Sequence, residues 1–311
     1  MTKPILKRSL RLIVSLLVFS FIFNGLLYLS TGDPVLIHLR SIGVETPSKE
    51  MISETKSQLG LQGNYFQQYC HWLIQIFHGH FGTSFAFQTP VIYLLITKLK
   101  VSVALLFWGM SLSLVASLSI SFLIGNSQKR QLQTLCGNLL VVLLSFPIYW
   151  TALLLILFLG VTLSLFPFVG NKTSAHLVLP TMTILLSEGA YLIKMTSDLY
   201  YQTSRLPRHL LSKYRGLTIY FQWLYQTKDI LIPLMTLWGN SLIHLFGMLL
   251  MIENIFSIPG IGQLLLNAII TRDYPLIQII VLFIALLTFL TQYAIDILII
   301  SLDSRLKINR K

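Results

Sequence analysis

The chain has 311 residues, 54% of them hydrophobic and only 11% charged, with a net charge of +12 and a mean hydropathy of +0.73. An ordinary soluble domain carries roughly 25% charged residues, so these figures exclude a soluble enzyme built on one large core. The apolar residues form long unbroken runs, which indicates an all-α membrane protein rather than a barrel, and the basic residues border those runs instead of forming a nucleic-acid surface.

Lys3, Lys7, Arg8 and Arg11 introduce the first apolar run, residues 10–29. That run is too long for the core of a signal peptide, and no small-x-small cleavage site comes after it, so it reads as an uncleaved span. The next seventy residues are more polar. They contain a predicted amphipathic helix over 48–59, with Ser48 as N-cap and Glu50 in the first turn, and a second over 65–77. Together they make a small external helical cap. His71, His78 and His80 lie here at irregular spacing with no carboxylate nearby, so no metal site is expected. Cys70 and Cys136 form no CxxC pair or disulfide framework.

Further apolar runs cover residues 101–125, 135–165, 177–200, 231–255 and 276–301, giving six spans in all. The third is too long for one straight helix; Pro147 is expected to kink it and Phe166-Pro167 to end it. Between the fourth and fifth spans, residues 202–230 form the longest inter-span loop on the basic side. Pro207 near its start and Gly216 at its centre predict a helix, a turn and a second short helix, and Pro233 stands at the start of the fifth span. Fifteen Lys and Arg residues fall on the side of this loop and of both termini, against seven on the other side. The positive-inside rule therefore places both termini in the cytoplasm. The expected organisation is residues 1–100 as first span plus cap and residues 101–311 as a five-helix core.

Ionisable groups within spans are costly and often functional. Lys194 and Asp198 are one helical turn apart and can pair. Glu188 has no local partner; it either lines a polar path or bonds a neighbouring helix. Asn240 and His244 share a face of the fifth span, Glu253 lies near its end, and Asp296 shares a face with Gln292. Such groups line a path or join helices, and the pattern favours joining. No HExxH, GxSxG, P-loop or GxGxxG occurs, so neither a catalytic residue nor a cofactor is expected. Energy for transport would come from partner chains or from an ion gradient. The second case would be a secondary transporter with Glu188 at a midplane site, although no internal repeat supports it.

One string is specific. Glu253-Asn254-Ile255-Phe256-Ser257-Ile258-Pro259-Gly260-Ile261-Gly262 is succeeded by Ala268-Ile269 and Arg272-Asp273-Tyr274-Pro275. It resembles the segment after the fifth span in the first permease subunit of oligopeptide, dipeptide and nickel ABC importers. Pro259, Gly260 and Gly262 would break the helix at the outer face, and Asp273 would cap the next helix. Gly32-Asp33-Pro34, Leu59-Gly60-Leu61, Gly82-Thr83-Ser84, Ser145-Phe146-Pro147, Leu179-Pro180-Thr181 and the Asp303/Arg305 ending extend the resemblance over nearly the whole chain.

The resemblance implies a type I ABC importer permease fold in a bacterial cell membrane. Its implied partners are a second homologous permease, two ATP-binding subunits, an external solute-binding protein and membrane lipid. It also implies that the 202–230 loop docks on the ATPase. Arg215-Gly216-Leu217 is similar to the Lys-Gly-Leu of that docking motif, with Ser212, Lys213 and Tyr214 standing where Ala-Arg-Ala is usual and Pro233 near the end. Glu188, Asn240, His244 and Glu253 are the candidate translocation-path residues. The implied cargo is peptide or a metal chelate, with the metal–chelate branch, of the kind that imports metal–staphylopine, as the narrower expectation.

Overall fold

The computed structural model describes residues 2–29 and 33–302; Gly32 and the tail residues Asp303, Ser304, Arg305, Lys307, Arg310 and Lys311 lie outside them. The described residues are helical, and no β-strand occurs among them. In chain order the helices are α1 (Thr2–Leu29), α2 (Pro34–Ser41), α3 (Lys49–Gln58), α4 (Tyr65–Phe77), α5 (Val91–Gly125), α6 (Arg130–Ser145) and α7 (Ile148–Leu155). Next come α8 (Val178–Ile184), α9 (Ala190–Ser204), α10 (Pro207–Tyr214), α11 (Ile219–Asp229), α12 (Leu231–Ile255), α13 (Ile261–Ile270) and α14 (Tyr274–Leu302). Helix α7 runs on as a π-helix, Ile156–Thr162, and a π turn, Leu185–Gly189, joins α8 to α9.

Five of these segments are long and apolar enough to cross a membrane: Leu6–Leu29, Val91–Gly125, Ser174–Ser204, Leu231–Ile255 and Tyr274–Leu302. The second begins ten residues earlier than hydropathy indicates. Lys98 and Lys100 interrupt the apolar run but not the helical hydrogen bonding, and Pro90 sets the true start. The third expected span is sharply broken rather than kinked: α6 and the α7 segment meet at 97° across Phe146-Pro147. Pro147 has no N–H to continue the ladder, and the residue before a proline is driven to extended backbone, as Phe146 is at φ −84°, ψ 124°.

The chain forms two compact units. The first holds the described parts of Met1–Lys100 together with Gly260–Leu290, so the segment after α12 belongs with the N-terminal third. Here α4 docks on α1 through tyrosines. The Tyr69 hydroxyl lies 2.8 Å from Ser20 Oγ, and Tyr65 donates to the Phe21 carbonyl. Burial pushes the Tyr65 phenol above its ordinary pKa, and Tyr69 adds to the effect. Ser48 caps α3 by accepting from Met51 N–H at 3.2 Å, and Asn64 with Gln67 forms a capping box at α4. On α14, Gln278 donates to Asn24 of α1 at 2.6 Å.

Asp273 organises this unit. It is fully buried; it accepts from Ser84 Oγ, from Ala86 N–H at 3.1 Å and from Leu276 N–H at 3.3 Å, the last as N-cap of α14.

The second unit holds Val101–Pro259 and the described chain from Thr291 on. Its core joins α5, α7, α8 and α12 through Leu105, Ala152, Leu179, Ile184, Leu245 and Ile252. A stripe of small residues on α5 brings it close to the Ser174–Ser204 segment: Gly109, Ser113, Ser117, Ser121 and Gly125, each one turn from the next. A Cβ at Gly109 would stand 2.6 Å from Ile184 Cδ1, and one at Gly125 would stand 2.6 Å from Tyr200 Cβ and 2.9 Å from the Ser197 carbonyl. Ser121 donates to the Ile193 carbonyl at 2.8 Å. Position numbers on both segments rise together, so α5 and Ser174–Ser204 run parallel. The chain between them must therefore cross back, which makes the bent α6–α7 pair one span and gives six among the described residues.

The packing of the two units makes three testable claims. Gly125→Ala forces a methyl against backbone and is expected to cost about 1–3 kcal/mol, the usual cost of overpacking. Gly137→Ala, with nothing within 4 Å of the added carbon, should gain about 0.5–1 kcal/mol from helix propensity; thermal melting of the purified chain in detergent distinguishes the two. Asp273→Ala orphans the Ser84 and Ala86 donors at about 1–3 kcal/mol each, which the same measurement reads as a lower midpoint.

Candidate functional site

Three candidate regions were expected from the sequence: charged and polar groups within spans, the loop between α9 and α12, and the turn after α12. The first centres on Glu188. It lies in the π turn between α8 and α9, a widened turn of the kind that often marks functional positions. The residue is 3% exposed, and its carboxylate accepts from Ser241 Oγ and from His244 Nδ1, both on α12. Ser241 and His244 are three residues apart and so share a face. Ser241 is buried, whereas the His244 side chain is 67% exposed. The pair therefore connects an interior carboxylate to an imidazole at the surface of this unit. Asn240 is also exposed, one turn before His244. Sequence reasoning missed Ser241; its signal was the one-turn spacing to His244 on a face already marked as polar.

Glu253 lies apart from this group. It is 0% exposed, and Ser102 of α5 donates to it at 2.6 Å. A buried carboxylate in a membrane span is costly unless hydrogen-bonded, and both Glu188 and Glu253 meet that condition through hydroxyl donors. Lys194 and Asp198 pair at 2.8 Å on a partly exposed face of α9. Among the described residues no group of three or more His, Cys, Asp or Glu side chains is placed to hold a metal ion.

The loop is a helix–turn–helix. Pro207 starts α10 at a position where its missing N–H is tolerated. Gly216 takes φ +73°, and the N–H groups of Gly216 and Leu217 return to the carbonyls of Lys213 and Ser212 at 3.1 and 3.3 Å. This is the Schellman closure, and it needs a residue free to adopt left-handed backbone. Lys213, Tyr214 and Arg215 project from the tip; Tyr214 is 85% exposed. The base is clamped. Buried His209 meets Asp229 at 2.5 Å, and Arg208 Nε reaches the same carboxylate at 3.1 Å, tying the start of α10 to the end of α11.

The loop is also fastened to the spans. Gln226 and Asn126 exchange reciprocal amide hydrogen bonds at 2.9 Å, joining α11 to the residue just after α5. Thr227 and Tyr200 hydroxyls meet at 2.6 Å, joining α11 to α9. None of these fasteners was singled out from the sequence, since each couples residues distant in the chain. Pro233 sits exposed in the first turn of α12.

In the turn after α12, Ser257 at φ 51° takes the left-handed position usually given to glycine, and Ile258 N–H returns to the Glu253 carbonyl at 2.8 Å. Pro259 is partly buried. Gly260 is the extended N-cap of α13, and Gly262 is buried in its first turn. Arg272, at φ 53°, closes α13 in the same manner and delivers Asp273 to its buried position.

Residues 117–308 match the family described as "Binding-protein-dependent transport system inner membrane component", and residues 1–106 match its N-terminal companion, "Binding-prot-dependent transport system membrane comp, N-term". Among curated relatives, the "Nickel import system permease protein NikB" of Staphylococcus aureus strain MRSA252 is 30% identical over 310 residues, covering 97% of this chain and 91% of the relative. The protein of the same name from strain USA300 is 28% identical over 306 residues, with the same coverage. The ion-gradient transporter considered for Glu188 gives way to this assignment. With six spans among the described residues and family similarity over nearly its whole length, the chain belongs to the binding-protein-dependent transport system inner membrane component family and is a transmembrane permease subunit of an ABC importer.

Proposed function

We propose that this chain forms one half of a translocation path for nickel, or a similar divalent metal, delivered as a small chelate. The supporting observation is its similarity, over 97% of its length, to proteins named as nickel import permeases. A metal arriving in a chelate brings its own ligands, so the path needs polar contacts rather than a ligand set. The α12 face with Asn240 and His244 supplies such contacts, with Glu188 orienting the imidazole from behind. Glu253, buried against Ser102, braces α5 on α12. The path runs between this chain and a second, homologous permease, and an external solute-binding protein delivers the cargo. The turn at Pro259, Gly260, Gly262 and Asp273 lies on the outer side, and both termini are cytoplasmic, as the charge distribution indicates.

ATP is hydrolysed by two partner subunits, and the α10–α11 loop carries their motion to the spans. Ser212, Lys213, Tyr214, Arg215, Gly216 and Leu217 meet the ATPase. The His209–Asp229 clamp makes the loop one body, and the Asn126–Gln226 and Tyr200–Thr227 contacts pass its displacement to α5 and α9. A rigid element of this kind lets ATPase closure shift the spans between two arrangements.

Cells deleted for this chain should lose uptake of radioactive nickel supplied with a chelator while peptide uptake continues; loss of peptide uptake with nickel unaffected would contradict the cargo assignment. Gly216→Pro cannot adopt the positive φ and should abolish nickel uptake while the chain still reaches the membrane, as immunoblotting of membranes would show. Asp229→Asn weakens the charge-assisted contacts to His209 and Arg208. At about 1.4 kcal/mol for each tenfold change in rate, the loss of one such bond should slow uptake roughly tenfold.

A further inference from the structure

A second polar feature of the Val101–Pro259 part of the chain lies outside the translocation path described above and shares Lys213 with the coupling loop. It is a cavity of about 670 Å³ where three membrane segments end. Gly125 and Asn126 at the end of α5, Arg130 and Gln133 in the first turns of α6, and Tyr201 and Arg205 at the end of α9 form its walls, and Lys213 of α10 completes it. Among the described residues no aspartate or glutamate lines it. Arg130, Arg205 and Lys213 are exposed, and no ion pair to a described carboxylate holds any of them; the Arg205 guanidinium instead lies 4.2 Å above the Tyr201 ring. Helix α6 opens towards this region with no side-chain cap and no acidic residue in its first turn. Its positive dipole end adds to the field of the three cations.

We propose that this cavity is a binding site for the phosphodiester headgroup of an anionic phospholipid. Three observations favour a lipid over a soluble phosphate. The cavity lies where spans end, which is headgroup level. Its neighbours include exposed apolar side chains that an acyl chain could follow: Leu132 and Leu135 on α6, Leu210 on the cavity wall and Leu211 beside it. Its cations are on the side enriched in Lys and Arg, which faces the anionic inner leaflet. The occupant would touch α6 and the coupling helix α10 together, so bound anionic lipid would stabilise the placement of the loop that meets the ATPase. The inference depends on the charge distribution and the cavity, and it holds whether the cargo is nickel or peptide.

The test is native mass spectrometry of the delipidated permease complex in mild detergent, with phosphatidylglycerol, phosphatidylcholine or inorganic phosphate added, alongside thermal melting with the same probes. The wild type should retain phosphatidylglycerol in preference to phosphatidylcholine and melt higher in its presence. The R130Q/R205Q variant should bind phosphatidylglycerol more weakly by about fivefold per cation removed. Arg130→Gln, an exposed single change outside the coupling loop, should show about a fivefold loss if the double variant does not fold. Equal retention of both lipids, or unchanged phosphatidylglycerol affinity in the variants, would overturn the proposal. Stabilisation by inorganic phosphate but not by phosphatidylglycerol would overturn it in favour of a soluble anion. Unchanged lipid affinity accompanied by loss of the ATPase from the complex would assign the cations to the protein partner instead.

Discussion

The second unit depends on how closely α5 approaches the Ser174–Ser204 span. Inside a bilayer there is no hydrophobic force between two helices, because lipid is as apolar as leucine; association rests on close packing and hydrogen bonds. The stripe Gly109–Ser113–Ser117–Ser121–Gly125 allows both. Its glycines admit Ile184 and Tyr200 to contact distance, and Ser121 bonds across to the Ile193 carbonyl. Any side chain at Gly109 or Gly125 would crowd this contact and press the helices apart. The separation would move Glu188 away from its α12 donors and Asn126 away from Gln226.

From this contact the rest of the unit is built in two directions. Towards the middle of the span, the π turn rotates Glu188 towards α12, where Ser241 and His244 meet it. Towards the loop, Gly125 ends α5 so that Asn126 locks onto Gln226 while Tyr200 holds Thr227. The group proposed to face the cargo and the loop proposed to face the ATPase are thus carried by the same pair of parallel helices. The first unit has an equivalent anchor in Asp273, whose single carboxylate caps α14 and holds the segment around Ser84.

Much of this was legible in the sequence because it is encoded locally. The 65–77 helix, the Ser48 cap, the 231–255 span and the helix–Gly216–helix loop all depend on residues near one another in the chain, and the structure reproduces them. The Lys194–Asp198 pair was readable from its one-turn spacing. The start of α5 was misplaced because hydropathy registers Lys98 and Lys100 but not the continuing hydrogen-bond ladder. The break at Pro147 was expected, but its 97° angle was not, since the angle depends on the surfaces against which the two halves pack. The partners of Glu188, Glu253, His209 and Gln226 were illegible for one reason: each lies on or beside another helix, and only packing brings the two together.

The central claim is that this chain works only as part of an ATP-driven assembly. The most direct measurement is isolation of the chain from its native membrane in mild detergent, with identification and stoichiometry of the proteins that accompany it. The account predicts one second permease and two ATP-binding subunits for each copy of this chain. Recovery of the chain alone or as a homo-oligomer, with no ATP-binding subunit at any detergent strength, would contradict it.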